Sequence, residues 1–231
     1  LTTTHLTAAL FTTNGAALLE DLLQRGVSAG ASLVEVFAER TDHLGLLAEQ
    51  DNITSVNPSF ACGAGIRVFR GERDGFVSTN DLSRDGLTRA LDQALAMLGL
   101  EIGTRDSAAG FQGLRALINH AATKEDWLQR CPSMAAAGDR LKQGTAHLER
   151  LGQHLQVRRG SYSRDWQEVL VAASDGTFAR DIRLHQSTGL SVLAADGDYR
   201  ASIGRRYGST DRPEDLCLLY TSPSPRDLST S

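Results

Sequence analysis

Residues Gly63–Phe76 read GAGIRVFRGERDGF, and the conformation of this stretch decides how the chain around it folds. It could cradle a phosphate on its glycines, face a nucleic acid with its arginines and aromatics, or form two strands around a turn. A dinucleotide fingerprint after Gly63 and Gly65 needs a third glycine where Val68 stands. Its glycines also belong at a strand-to-helix turn, where amides face the pyrophosphate. No Gly-Lys-Ser/Thr run of a P-loop occurs anywhere. Arg67, Arg70 and Arg73 alternate with Val68, Phe69 and Phe76, a composition that can stack on bases. Yet Glu72 and Asp74 sit among them, and the formal net charge is -4. A strand over 60–70, a turn at Gly71-Glu72-Arg73-Asp74 and a strand over 75–80 account for every residue. The arginines then line a solvated face, and Gly63 and Gly65 permit close backbone packing or a bulge.

Working outward, residues 15–29 place Leu18, Leu19, Leu22, Leu23 and Val27 at helical spacing, with Asn14 as N-cap and Gly30 as stop. The period then changes to two. Residues 33–40 and 43–50 read as strands joined by a hairpin turn at Arg40-Thr41-Asp42. A short strand follows over 52–56, broken by Asn57-Pro58-Ser59. After the Gly63–Phe76 hairpin comes a helix with Ser83 as N-cap. Its apolar face is Leu87, Leu91, Ala94, Leu95 and Leu98, and Gly99 lies at its end. Helix, antiparallel strands, helix over 1–100 predicts a two-layer α+β unit.

Residues 101–155 are expected to be a helical connection. Residues 100–120 lack periodicity, a short helix spans 124–130 behind Thr123, and a longer one spans 133–155, weakened by Gly138, Gly144 and Gly152. Residues 156–216 are expected to be an antiparallel meander of five strands, over 156–165, 166–174, 177–186, 188–195 and 199–208. Two of its joints are Ser174-Asp175-Gly176 and Asp196-Gly197-Asp198, strong hairpin signals. Residues 217–231, CLLYTSPSPRDLSTS, are Ser/Thr/Pro-rich and expected to be a disordered tail. They resemble the translated adapter sequence carried by truncated environmental gene fragments, the alternative being an ordinary flexible tail.

The composition, 41% hydrophobic and 23% charged, is that of a globular protein, and its mild acidity gives no global pull toward nucleic acid or anionic lipid. Arg200, Arg205 and Arg206 form a second local basic cluster. The three cysteines, Cys62, Cys131 and Cys217, have no CxxC spacing, which argues against a disulfide framework or a cysteine zinc site and for a reducing, cytoplasmic setting. No apolar run approaches a membrane span. The N-terminus has no basic segment of a secretory signal and no initiator Met, so the start is expected to be incomplete.

Catalytic constellations are missing from the pattern. The six histidines are His5, His43, His120, His147, His154 and His185, and no HExxH occurs. His147 and His154 are two helical turns apart, too far to share one metal. There is no GxSxG, and no cysteine lies near a base in the sequence. Asp175 and Asp196 are explained by turns, and Asp81 or Asp85 by a helix start. No residue is therefore assigned a catalytic, cofactor-binding or metal-binding role, and substrate-binding residues are unassigned.

The order of segments nevertheless resembles one family. SLVEVFAERT, then LLAEQDNITSV, then Gly63-x-Gly65-x-Arg67, the Gly71-Glu72-Arg73 turn, the Gly75-Phe76 strand and the Asp81-Leu82-Ser83 helix entry are similar to the N-terminal domain of the TldD/PmbA family, the modulators of DNA gyrase. VLVAASDGTFARDIR and LSVLAADGDYRASIGRRYG resemble the family's later hairpins, so that residues 18–216 are covered, in a pattern closer to the TldD type. The resemblance implies a zinc metallopeptidase acting on peptides or unfolded chains. It also implies a TldD/TldE-type partner or a homodimer, and an HExxxH helix holding zinc in a region after the last hairpin. No HExxxH is present here, so the motif is carried onto no residue of this chain. The expectation is an N-terminal fragment, inactive alone, that lacks the catalytic region. The alternative is a non-catalytic peptide- or protein-binding module, for a partner such as DNA gyrase.

Overall fold

The computed structural model describes residues 9–11, 15–101, 111–150 and 155–210. The predicted N-cap Asn14, the histidines His5 and His154, Gly152, Cys217 and the tail over 217–231 lie outside the described residues, as do residues 102–110 of the predicted connection. The elements are α1 (Gly15–Ser28), β1 (Leu33–Glu49), β2 (Asn52–Arg70), β3 (Arg73–Thr79), α2 (Arg84–Ala96), β4 (Ile118–Asn119), α3 (Trp127–Arg130), α4 (Met134–Glu149), β5 (Leu155–Ala173), β6 (Phe178–Asp196) and β7 (Tyr199–Thr210). They form a seven-stranded sheet in the order β3-β2-β1-β5-β6-β4, with β7 paired to β6. The fold is α+β.

The chain divides into two compact units. The first gathers residues 1–41, 61–123 and 168–182, and the second gathers 42–60, 124–167 and 183–231. In the first, the apolar stripes of α1 (Leu18, Leu19, Leu22, Leu23) and α2 (Leu87, Leu91, Leu95) bury against Val34, Val36, Ile66, Val68 and Leu170 of the strands. These alternate positions share one face of the sheet, as a two-residue period requires. Each fully buried Leu contributes roughly 1.5–3 kcal/mol relative to exposure. The Oγ of Ser83 accepts from the amide of Gly86 at 3.1 Å, the expected N-cap of α2. α1 ends as expected at Gly30, whose φ of 96° lets the amide of Ala31 reach back to the carbonyl of Gly26. In the second unit, α4 lays Ala137 and Leu141 on Leu44, Leu46, Ala48 and Tyr162.

Several strand boundaries differ from expectation, for one physical reason. Arg40-Thr41-Asp42 is not a turn: β1 runs unbroken from Leu33 to Glu49. Its polar residues are there because Arg40 pairs with Glu168, and Asp42 with Arg164, across to β5. The same pairs erase the expected break at Asp165-Trp166, so that β5 is one strand of 19 residues. β6 is likewise continuous through Gln186-Ser187-Thr188. There the hydroxyl of Tyr162 donates to Oε1 of Gln186 at 3.0 Å, and the hydroxyls of Ser163 and Ser187 share a hydrogen bond at 2.8 Å. Five predicted strands are thus three. Asn57-Pro58-Ser59 does not break β2, because β3 pairs with β2 only from Ala64 onward and a proline is tolerated on an unpaired edge.

The helical segment also shifts. α3 is only Trp127–Arg130, and Asp126 at its start makes no capping bond. α4 starts where expected, with Ser133 as its N-cap, but stops at Glu149, and Leu155 already belongs to β5. The main chain of Gln50 claims the carbonyl of Arg158, and its side-chain amide claims that of Gln156, which draws this segment into the sheet.

Candidate functional site

The Gly63–Phe76 stretch is a β-hairpin. Its register runs without interruption from Ala64 opposite Thr79 to Arg70 opposite Arg73, so the turn is Gly71-Glu72, tighter than the four residues expected, and holds no bulge. Nε of Arg67 pairs with Asp74 at 3.0 Å and its guanidinium lies 4.9 Å from the Phe69 ring centroid. Arg70 donates to the carbonyl of Leu98 at 3.0 Å. The ring of Phe76 lies over Gly65, 2.8 Å from where a Cβ would stand. A Cβ on Gly75 would meet the carbonyl oxygen of Ala94 at 2.5 Å, so this glycine lets β3 press against α2. Gly65, Gly75, Arg67 and Arg70 are thus used by close packing, a surface ion pair or a hydrogen bond to a carbonyl.

The acidic residues singled out by sequence are also structural. Asp81 accepts from the hydroxyl of Ser83 at 2.6 Å, from its amide at 3.1 Å and from Arg89 at 2.7 Å. The Ser83 hydroxyl, foremost, holds the Asp81 carboxyl below its ordinary 3.8. Asp175 receives the amide of Thr177 at 2.8 Å, and its carboxyl is lowered chiefly by the Thr177 hydroxyl and then by that amide. Gly176 and Gly197 take φ of 94° and 57° in the two Asp-Gly turns.

The strongest polar cluster escaped the sequence pattern. Glu168 is fully buried in the first unit. Its Oε2 receives Nε of Arg40 and its Oε1 receives Nε of Arg180, each at 2.5 Å. The Arg40 guanidinium also lies 4.9 Å from the Phe11 ring centroid. Three strands, β1, β5 and β6, are joined through one carboxylate whose two oxygens are both engaged by guanidinium groups. That arrangement ties strands together and leaves Glu168 poorly placed to act as a base. Its three members are 128 and 12 residues apart. The one signal available was an acid directly before the apolar run Val169–Ala173.

In the second unit, Nδ1 of His43 lies 2.6 Å from Oδ1 of Asp165, with both side chains substantially exposed. Cys131 is buried and its Sγ approaches the carbonyl oxygen of Trp127 at 3.2 Å. Burial, foremost, pushes this thiol from 9.0 up to about 11, so it stays protonated and is no nucleophile. His120 lies beside β4, His147 near the end of α4 and His185 on β6 opposite Thr210, so these histidines are dispersed. Among the described residues no three His, Cys, Asp or Glu side chains converge as a metal ion needs, and the donor set does not fit zinc.

An α+β chain of two units, with antiparallel hairpins and an ion-paired sheet interior, is the class this structure defines. The PmbA/TldA metallopeptidase domain 1 matches residues 34–98, and the PmbA/TldA metallopeptidase central domain matches residues 120–222. Together these cover more than half of the chain, and the chain belongs to the PmbA/TldD family. A metalloprotease TldD homolog of Buchnera aphidicola is 22% identical over 91% of this chain and 41% of its own length. Among solved structures, TldE of Thermococcus kodakarensis is 16% identical with a TM-score of 0.62, over 83% of this chain and 42% of that one. A candidate modulator of a DNA gyrase from Thermotoga maritima is 12% identical with a TM-score of 0.66, over 87% and 44%. These structures share the fold, and the chain spans less than half the length of each relative. No helix among the described residues is long and apolar enough to cross a membrane.

Proposed function

We propose that the chain is the N-terminal portion of a TldD-like zinc metallopeptidase of the cytoplasm, one that cleaves peptides or unfolded chains, and that the 231 residues do not cleave by themselves. The observation that carries this is the pair of family domains, the first and the central one, laid consecutively along a chain with no HExxxH. In this proposal zinc and the residues that would hold it belong to a further region, and a TldE-type or identical subunit completes the assembly. The chain's own residues build the scaffold: the Glu168 cluster fixes three strands, and the Gly63–Phe76 hairpin seats α2. A quenched unstructured peptide incubated with the chain and added Zn²⁺ tests the proposal. No hydrolysis above buffer is expected, and metal-dependent turnover that chelation abolishes would place a catalytic site within these residues.

A second function, a non-catalytic peptide- or protein-binding module, is favoured by one observation. β7 is exposed along nearly its whole length and sits at an edge of the sheet. Such an edge can take an extended segment as an added strand.

A further inference from the structure

The two edges of the second unit are built differently. The β2 edge, Asn52–Phe60, carries Pro58, which lacks an amide proton and resists strand addition. β7 carries no proline over Tyr199–Thr210, and β6 is its one strand partner among the described residues. Register with β6 sets Ile203 opposite Val192 and Tyr207 opposite Thr188. Tyr199, Ile203 and Tyr207 therefore share one face, at 86%, 67% and 43% exposure.

Charge selects the occupant. Arg200, Arg205 and Arg206 lie on β7, and no carboxylate occurs between Tyr199 and Thr210. Arg200 and Arg206 lie on the face opposite Tyr199, Ile203 and Tyr207, so a second copy adding along this edge with matched faces would place four arginines on one face with no carboxylate from either strand, a repulsive register. An extended segment bearing Asp or Glu at alternate positions meets Arg200 and Arg206 with opposite charge, sets its intervening apolar residues beside Tyr199, Ile203 and Tyr207, and satisfies the open edge with its backbone. We propose that the outer edge of β7 binds an extended acidic segment of another polypeptide by strand addition. This rests on the binding-module function above and names its surface and the chemistry of its partner. It needs neither metal nor cleavage.

The test is fluorescence anisotropy of the intact chain with a labelled eight-residue peptide of alternating Glu and Val, compared with its Lys/Val counterpart. The acidic peptide is expected to bind at least tenfold more tightly. The variant R200E/R206E, its fold checked by circular dichroism, should reverse that preference. N-methylation of alternate peptide amides should abolish binding, and amide exchange should slow along Tyr199–Thr210. Equal affinity for both peptides, or undiminished binding after N-methylation, would overturn the proposal. Protection confined to another strand would overturn the β7 site and leave the binding-module function standing. Failure to bind any peptide would remove both.

Discussion

Glu168→Gln is the most informative single change to the scaffold. Glu168 is fully buried, whereas the Arg40 and Arg180 side chains that hold it are 12% and 18% exposed. The amide keeps the shape but presents an NH₂ group to one of two guanidiniums and removes the carboxylate charge that they share. Removing one partner of a buried ion cluster costs about 3–5 kcal/mol. With a urea slope near ~2 kcal/mol/M, that lowers the unfolding midpoint by roughly 1.5–2.5 M. Far-UV circular dichroism is the right probe, because Trp127 and Trp166 both lie in the second unit and the cluster lies in the first. An exposed pair such as Arg84–Asp21, 58% and 44% exposed, supplies the control. Its loss should cost only about 0–1 kcal/mol. The triple variant R40M/E168L/R180M should recover much of the loss, since apolar residues of similar volume often replace a buried ion cluster at no net cost. A Glu168→Gln midpoint within about 0.5 M of the parent, corresponding to ~1 kcal/mol, would refute the view that this carboxylate joins the three strands.

Further expectations concern packing and titration. Gly75→Ala forces a methyl group against the Ala94 carbonyl and should cost about 1–3 kcal/mol in urea unfolding, as overpacking does. Iodoacetamide at pH 8 should label the half-buried Cys62 well before Cys131, whose thiol titrates only near 11; mass spectrometry of the peptides decides it. Asp81 and Asp175 have carboxyls lowered from 3.8 by their turn and cap bonds, so their contribution is present above that value and lost as pH falls through the depressed titration. Asp81→Asn should therefore lower stability at neutral pH, where the carboxylate contributes, and converge on the parent as pH falls below 3.8 through the depressed titration, which flattens the acid limb.

What the sequence disclosed was what local chemistry controls. Leucines at helical spacing located α1 and α2, Ser83 located the start of α2, and the Asp-Gly pairs located two hairpin turns. The Gly63–Phe76 hairpin was legible too, because each of its residues has a local reason. Where partners lie far away in the chain, legibility failed. Arg40 and Asp42 read as turn residues, and strand ends were placed beside Arg164 and at Gln186, because polarity inside a strand is explained only by its neighbour across the sheet. Glu168 was silent for the same reason: its two arginines come from β1 and β6. Pro58 misled because a proline breaks an inner strand but not an unpaired edge.

The separation of scaffold from chemistry is tested most directly by metal analysis. The chain, purified without chelator, equilibrated with excess Zn²⁺ and desalted, should carry far less than one zinc per molecule, because its described residues bring no three metal-binding side chains together. One tightly held zinc per chain, lost on dialysis against chelator and regained on re-addition, would contradict the assignment of the metal chemistry to a further region.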